Sequence, residues 1–194
     1  MTTTYPIPGY PAVVLAEDME QVIVRPMQAS DEQALLDFFR RIPEQDRMHL
    51  KEDVTSEHVI HRWATEINFN RTIPLLAFVS DRVVADGTLH HRRAGTRKHI
   101  GEIRVVVEPE FRNKGVGRAL VRRLIEMARD EGIEKLVFEL VEDGEQAARH
   151  TAKLLGFVPI AVLAGHSRDS FGNRENVIIM ELDVAASAHV PNVF

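Results

Sequence analysis

The chain has 194 residues, of which 44% are hydrophobic and 27% charged, which suits one soluble globular domain with its own core. It contains no cysteine, which excludes disulfide bonds, thiolate nucleophiles and cysteine-ligated metal sites. The net charge of −5 disfavours general binding to nucleic acid, and no apolar run approaches the ~20 residues that span a bilayer. No signal peptide is apparent at the N-terminus, so the expected location is cytoplasmic, with no membrane partner.

The first half of the chain predicts strands, two helices and an antiparallel hairpin. Ser30 can cap the first helix, with Gln33 at the capping-box position, and the second helix covers residues 56–67. Short apolar runs predict strands over residues 22–26, 75–79, 83–90 and 99–107.

The second half predicts a parallel step followed by an antiparallel ending. Apolar residues recur at three- and four-residue steps from Val116 to Met127, which indicates a helix that stops at Gly132. A second amphipathic helix covers residues 145–155, and a polar loop covers residues 166–176. Strands are predicted over residues 136–141, 158–163 and 177–182.

The order of these elements is β, α, α, β, β, β, α, β, α, β, β. It predicts an α/β fold with a single mixed sheet, flanking helices and a largely antiparallel N-terminal half. We expect an N-terminal arm over residues 1–20, one domain over residues 21–184 and a C-terminal tail over residues 185–194.

The most informative motif is Arg112-Asn113-Lys114-Gly115-Val116-Gly117, between a strand and a long helix. The first amides of a helix lack internal acceptors, and the helix dipole places partial positive charge there. The glycines let the backbone approach a ligand closely, and such a turn suits a phosphate or pyrophosphate. Taken alone the glycine pair is weak, because tight packing of helix on strand needs the same residues. It is neither the dinucleotide fingerprint, which has a third glycine, nor a Walker loop.

The motif resembles the signature of the GCN5-related N-acetyltransferase (GNAT) family, which is Arg/Gln-x-x-Gly-x-Gly/Ala after a strand. A second family block, a helix followed by Leu-Gly-Phe, is matched by Ala148 and by Leu155-Gly156-Phe157. The order of elements agrees with that family over residues 21–184. The resemblance implies splayed parallel central strands and transfer of an acetyl group from acetyl-CoA to a primary amine by direct attack.

The resemblance also implies where acetyl-CoA binds. The cofactor would lie between the strands over residues 99–107 and 136–141, with the backbone of the first strand pairing with the pantetheine arm. The amides of residues 113–118 would hold the pyrophosphate. The implied cofactor-binding residues are Val105, Val106, Val107, Arg112, Asn113, Lys114, Gly115, Val116, Gly117, Arg118 and Glu145.

Glu102 is the candidate catalytic base, because several family members carry a catalytic glutamate on this strand. Partial burial would raise its pKa and make it a better base at neutral pH. The alternative is that Glu102 only pairs with a neighbouring arginine such as Arg104. A backbone amide near Val107 would stabilise the oxyanion.

The second block departs from the family at two positions. Many members place a tyrosine four residues before the Gly-Phe glycine, where it protonates the sulfur of CoA; here the residue is Ala152. An asparagine common seven residues earlier is replaced by Glu145. His150 and His166 are substitute acids without positional support. These departures also leave open a catalytically weak acyl-CoA-binding sensor or partner subunit.

The remaining polar residues point to no further site with comparable strength. His58 and His61 have a helical spacing that can serve a metal, but no third ligand is recognisable, so no metal site is predicted. Asp169, in the polar loop, is a candidate for a residue bordering the site, although a simple exposed hairpin loop is the alternative. The acceptor, a small amine or a protein lysine, is not specified by the residues. The family resemblance implies a possible homodimer.

Overall fold

A computed structural model describes residues 7–15 and 21–186, and its main element there is one eight-stranded mixed sheet. The strands are β1 (Ala12–Leu15), β2 (Gln21–Pro26), β3 (Thr72–Val79), β4 (Arg82–His90), β5 (Ile100–Val107), β6 (Lys135–Val141), β7 (Val158–Arg168) and β8 (Arg174–Asp183). Their order across the sheet is β1-β2-β3-β4-β5-β6-β8-β7. Among these neighbouring strand pairs only β5–β6 is parallel, which agrees with the predicted mixed sheet and parallel central step.

Helices cover both faces of the sheet. Successive side chains of the central strands point to opposite faces, and because both sets are apolar, each face needs a covering layer. In β3, Leu75 and Ala77 belong to one hydrophobic core, whereas Leu76 and Phe78 belong to the other. The first core includes residues of two helices, α4 (Val116–Asp130) and α5 (Gln146–Leu154). The second includes residues of α1 (Glu32–Arg41) and α3 (Glu57–Thr65); the short helix α2 (Glu44–Arg47) lies between these in sequence.

The two parallel strands separate part-way along their length. Pairing of β5 with β6 runs from Ile100 opposite Lys135 to Ile103 opposite Phe138 and then stops. Beyond that point β5 still pairs with β4, and β6 still pairs with β8. The sheet therefore contains a gap between its two central strands, and the expected splay is present.

Some local predictions were wrong. The first strand β1 and the helix α2 were not predicted. The predicted cap at Ser30 is replaced by Asp31, whose carboxylate accepts a hydrogen bond from the Gln28 amide (2.8 Å), while Gln33 bonds Asp37 (2.9 Å) instead. Much of the loop predicted over residues 166–176 is strand, since Ser167 pairs with Glu175 and Arg168 with Arg174.

None of the helices in the described residues is both long enough and apolar enough to cross a membrane. The described part of the chain thus forms one sheet with a helical layer on each face, and the sheet has a gap between β5 and β6.

Candidate active site

A cleft of about 440 Å³ lies at the gap between β5 and β6. This volume falls within the range of small-molecule and cofactor sites. The ends of both strands, the start of α4, the segment around α5 and residues after α2 form its walls. Its lining includes Asp46, His49, Leu50, Arg104, Val105, Val106, Val107, Arg112, Asn113, Gly115, Gly117, Arg118, Phe138, Glu139, Gly144, Glu145, Ala148, His150 and Thr151. All predicted cofactor-binding residues line it except Lys114 and Val116, and the side chain of Val116 is buried in the core.

The turn before α4 presents backbone amides to this cleft. Asn113 and Gly115 have positive φ angles, 57° and 81°, so the chain turns sharply before the helix begins at Val116. No side chain caps the helix, and the amide of Ala119 makes a bond to the Gly115 carbonyl (2.9 Å). The amides before it lack intrahelical acceptors, which makes this end of α4 suited to an anion.

Gly117 brings the first turn of α4 close to the end of β5. A Cβ atom at this position would lie 3.3 Å from the Cγ2 atom of Val107. A larger residue would also occupy space beside the free amides, so glycine keeps the backbone accessible there.

Arg112 fastens the turn to two other parts of the molecule. Its Nε atom donates to the Val107 carbonyl (3.0 Å), and its Nη2 atom contacts the Asp46 carboxylate at 2.6 Å. The ammonium of Lys114 lies 5.6 Å from the centre of the Phe111 ring. Arg112 thus mainly holds the turn in position, because Asp46 already neutralises much of the charge of its guanidinium.

The free edge of β5 faces the gap. The amide of Glu108 donates to the Val84 carbonyl on β4 (2.9 Å). Because successive amides of a strand point to opposite edges, the amide of Val107 points toward β6, where no strand pairs with it. Its carbonyl is bound by Arg112, which leaves the amide as the free group at the end of the strand.

Two buried arginine nitrogens in the cleft wall also have no partner. The Nε atoms of Arg104 and Arg118 are buried without a hydrogen bond among the described residues. Unpaired buried donors are costly, and a bound anion or carbonyl would satisfy them. Together with the free amides, they show that the cleft chemically fits the phosphate and amide groups of coenzyme A.

Glu102 lies beside the cleft in an ion-paired network. Its carboxylate contacts Lys51 Nζ at 2.8 Å and Arg104 Nη2 at 2.7 Å, and Arg104 also contacts Glu139 at 2.8 Å. Burial acts to raise the pKa of Glu102, but the hydrogen bonds and charges of Lys51 and Arg104 outweigh it, so this pKa is lowered. The expectation that burial would raise the pKa of Glu102 was therefore wrong, and the alternative pairing with Arg104 is present.

A second carboxyl group lies on the same face of the sheet. Asp86 on β4 stands opposite Val106, is buried, and receives a weak hydrogen bond from Thr88 (3.4 Å). Burial raises the pKa of Asp86 to about 7, against the opposing effect of Thr88. This acidic group titrates near neutral pH, and sequence patterns gave no sign of its burial.

The two positions that depart from the family pattern have different environments. Ala152 is fully buried in the core, so a tyrosine there would have to displace packed side chains. The carboxylate of Glu145 accepts a hydrogen bond from the Val141 amide (2.7 Å) at the mouth of the gap. Burial raises the pKa of Glu145, and the Val141 hydrogen bond and the charges of His49 and Arg104 oppose this rise.

The histidines predicted from sequence are less well placed than one that was missed. His49 lines the cleft, and its Nδ1 atom is buried without a hydrogen-bond partner. His150 also lines the cleft but is exposed, whereas His166 lies exposed on β7 and outside the lining. No motif marked His49, because it follows the unpredicted helix α2.

The other candidate residues do not contribute to the cleft. Asp169 holds the β7–β8 turn by accepting hydrogen bonds from the amides of Phe171 (2.9 Å) and Asn173 (2.8 Å). His61 hydrogen-bonds Glu32 at 3.1 Å. Over the described ranges, no group of three His, Asp or Glu side chains is placed to hold a metal ion.

One curated relative matches part of the chain. It is the L-amino acid N-acyltransferase MnaT of Escherichia coli, 36% identical over 87 residues. The match covers 45% of this chain and 49% of the relative, so the chain spans about half of that protein's length.

Solved structures match most of the chain. The GNAT domain of S. lividans PAT has a TM-score of 0.74 with 19% identity, covering 91% of this chain and 99% of that one. YncA from Salmonella typhimurium, solved with its cofactor acetyl-CoA, has a TM-score of 0.70 with 20% identity, covering 84% of this chain and 94% of that one. At these identities the likeness establishes the fold.

The model of the acetyltransferase (GNAT) family matches residues 33–157, which include the splayed strands, the glycine-containing turn before α4 and the Leu-Gly-Phe block. This chain belongs to the acetyltransferase (GNAT) family.

Proposed function

We propose that this chain transfers an acetyl group from acetyl-CoA to a primary amine. The observation that carries this proposal is the cleft between β5 and β6, which ends at the uncapped start of α4. Membership of the family and the bound acetyl-CoA of one structural neighbour support the choice of donor.

The donor would occupy the cleft along the free edge of β5. The amides of Val116, Gly117 and Arg118 suit the pyrophosphate, and the buried Nε of Arg118 adds a donor beside them. The free amide of Val107 suits a carbonyl oxygen, because it lies at the end of the unpaired strand edge. In such a place a fixed amide stabilises negative charge that develops during acyl transfer.

The reaction then needs a neutral amine beside the thioester. The acceptor arrives as an ammonium, so one proton leaves its nitrogen before attack. The neutral nitrogen then attacks the carbonyl carbon, the carbon–sulfur bond breaks, and a second proton leaves the nitrogen while the sulfur gains one. We assign the first proton removal to Glu102, because Arg104, which lines the cleft, contacts it directly. Its lowered pKa keeps Glu102 ionised at neutral pH, so it is ready to accept a proton.

We infer that the acceptor is a small amine that also carries a carboxylate, such as a free amino acid. Lys51 and Arg104 place positive charge beside Glu102, and the Nε atom of Arg104 is unpaired. An ammonium and a carboxylate on one molecule would match this arrangement of charges. The name of the relative in Escherichia coli supports the same class.

The proposal is tested by the release of free thiol from acetyl-CoA over a panel of amino acids, polyamines, aminoglycosides and lysine peptides. We expect turnover on an amino acid, and a loss of about a hundredfold in kcat for Glu102→Gln. Glu139→Gln is the matched control, because it removes the other carboxylate partner of Arg104; we expect a smaller loss.

Each other outcome has its own meaning. Equal losses of kcat in the two variants would mean that Glu102 acts only as an ion-pair partner of Arg104 and not as the base. Turnover confined to lysine peptides would overturn the acceptor class. Tight binding of acetyl-CoA without turnover on any amine would contradict the enzyme and favour an acyl-CoA-binding sensor.

A further inference from the structure

Departure of the thiolate from acetyl-CoA needs a proton source, and the tyrosine that the family pattern supplies is absent. Ala152 occupies that position and is fully buried in the hydrophobic core. Two histidines, His49 and His150, lie in the cleft wall, and imidazole nitrogens can donate or accept a proton. They differ in their surroundings, since His150 is exposed and His49 is partly buried.

The ring of His49 packs against the segment where the usual asparagine is replaced. A Cβ atom at Gly144 would lie 3.4 Å from His49 Nε2, so the absence of a side chain at Gly144 leaves room for the imidazole. The next residue, Glu145, lines the same cleft as His49. The ring therefore lies at the gap, beside the residue that replaces the family's asparagine.

The two ring nitrogens of His49 have different surroundings. The Nδ1 atom is buried and makes no hydrogen bond within the described residues. The Nε2 atom lies on the Gly144 side of the ring, and His49 as a whole lines the cleft. The charged side chains that share the cleft with this ring are Asp46, Arg104, Arg112, Arg118, Glu139 and Glu145.

We propose that His49 donates, through Nε2, the proton that the departing sulfur of coenzyme A takes up. This inference rests on the proposed function. As the carbon–sulfur bond breaks, its electron pair stays on sulfur and the Nε2–H proton passes to it. The imidazole regains a proton from the amine nitrogen, which loses one when the amide forms, or from solvent. Atoms and charges then balance, and no other reactant is needed.

The location of His49 explains why α5 can lack the tyrosine. The acid would come from the segment after α2 rather than from α5. Glu145 would be a positioning residue, because its carboxylate is fixed by the Val141 amide and it follows Gly144, against which the ring packs.

The first test uses binding alone. The thiol pKa of bound coenzyme A is measured from thiolate absorbance as the pH is varied, with wild type, His49→Gln and the exposed control His166→Gln. A nearby imidazolium favours the thiolate, so we expect this thiol pKa to rise by about one pH unit in His49→Gln only. The dissociation constant of acetyl-CoA should change less than about threefold.

The second test uses turnover on the acceptor found in the panel. We expect His49→Ala to lose about a hundredfold in kcat and to regain part of it with added imidazole, because the small molecule can occupy the vacated space. A purely structural role would give no rescue.

The outcomes separate this inference from the proposed function. Failure of wild type to bind coenzyme A would overturn both. Normal binding and turnover with an unchanged thiol pKa and rate in His49→Gln would overturn the role of His49 alone. A loss confined to His150→Gln would assign the proton to the exposed histidine instead.

Discussion

At the scale of single residues, the pKa of Glu102 is set by its partners more than by burial. Lys51 and Arg104 both bond its carboxylate, and their charges outweigh the effect of desolvation. A base of lowered pKa is ionised over a wide pH range but binds a proton less strongly. The chemistry assigned to Glu102 therefore depends on two neighbouring cations.

Replacing Lys51 with methionine tests this dependence. The substitution removes a hydrogen bond to the ionised carboxylate, so the pKa of Glu102 should rise. Activity that requires the ionised base increases with pH through that pKa, and we expect this increase to occur at higher pH in Lys51→Met. The measurement is kcat/KM against pH, and Lys98→Met, in an exposed loop, is the control. An unshifted profile would remove Glu102 as the titrating base.

Asp86 gives a prediction about stability. Its pKa of about 7 in the folded protein lies above the value near 3.9 of an unfolded chain. Folding therefore favours the protonated form, and the protein should lose stability as pH rises from about 4 to 7, with no further loss from this group at higher pH.

The variant Asp86→Asn cannot ionise and should remove that loss. We expect its free energy of unfolding to fall less than that of wild type between pH 5 and pH 8, by an amount of order a few kcal/mol. Chemical denaturation at the two pH values measures this difference. Asp81→Asn, in the exposed β3–β4 turn, should behave as wild type; an equal pH dependence in all three proteins would contradict the buried titration.

At the scale of elements, the start of α4 supplies the free amides to which we assign the pyrophosphate. Gly117→Ala adds a methyl group 3.3 Å from Val107 and beside those amides. We expect at least a tenfold weaker affinity for acetyl-CoA with little change in the melting temperature. Isothermal titration calorimetry measures the affinity, and Asp130→Ala, at the exposed far end of the same helix, is the control. Unchanged affinity in Gly117→Ala would place the pyrophosphate elsewhere.

The elements with strong periodicity or an informative motif were predictable from the sequence. The helix from Val116 and the turn before it depend on local spacing, which the sequence displays directly. Helix α2 has four residues, too few for a periodic pattern, and the strand character of residues 166–168 and 174–176 depends on pairing between distant residues. His49 and the partners of Glu102 come from long-range packing, which a single sequence does not encode in its spacing.

At the scale of the whole molecule, the edge strand β7 leaves apolar side chains exposed. Val158, Ile160 and Val162 on β7 are each more than half exposed, and β7 pairs only with β8 in the described sheet. An unpaired apolar edge strand can pair with a strand of another chain. The same strand of a second copy, related by a twofold axis, would lie antiparallel to it and present the same residues. We propose that the occupant of this edge is a second copy of the chain.

On this proposal the chain is a dimer, and the variant Ile160→Lys, which places a charge in that edge, should make it a monomer. Size-exclusion chromatography with light scattering gives the mass of each form. Val13→Lys, at the opposite edge of the sheet on β1 and 54% exposed, is the matched control and should leave the mass unchanged. A monomeric wild type would contradict the dimer.

The contact between Arg112 and Asp46 has a kinetic consequence. Arg112 begins the turn before α4, and Asp46 belongs to α2, the helix that precedes His49 and Lys51. We expect occupation of that turn by the donor to be transmitted through this contact to the segment that carries His49 and Lys51. The two substrates should therefore bind in a compulsory order, with the donor first, and an acceptor analogue should inhibit uncompetitively against acetyl-CoA.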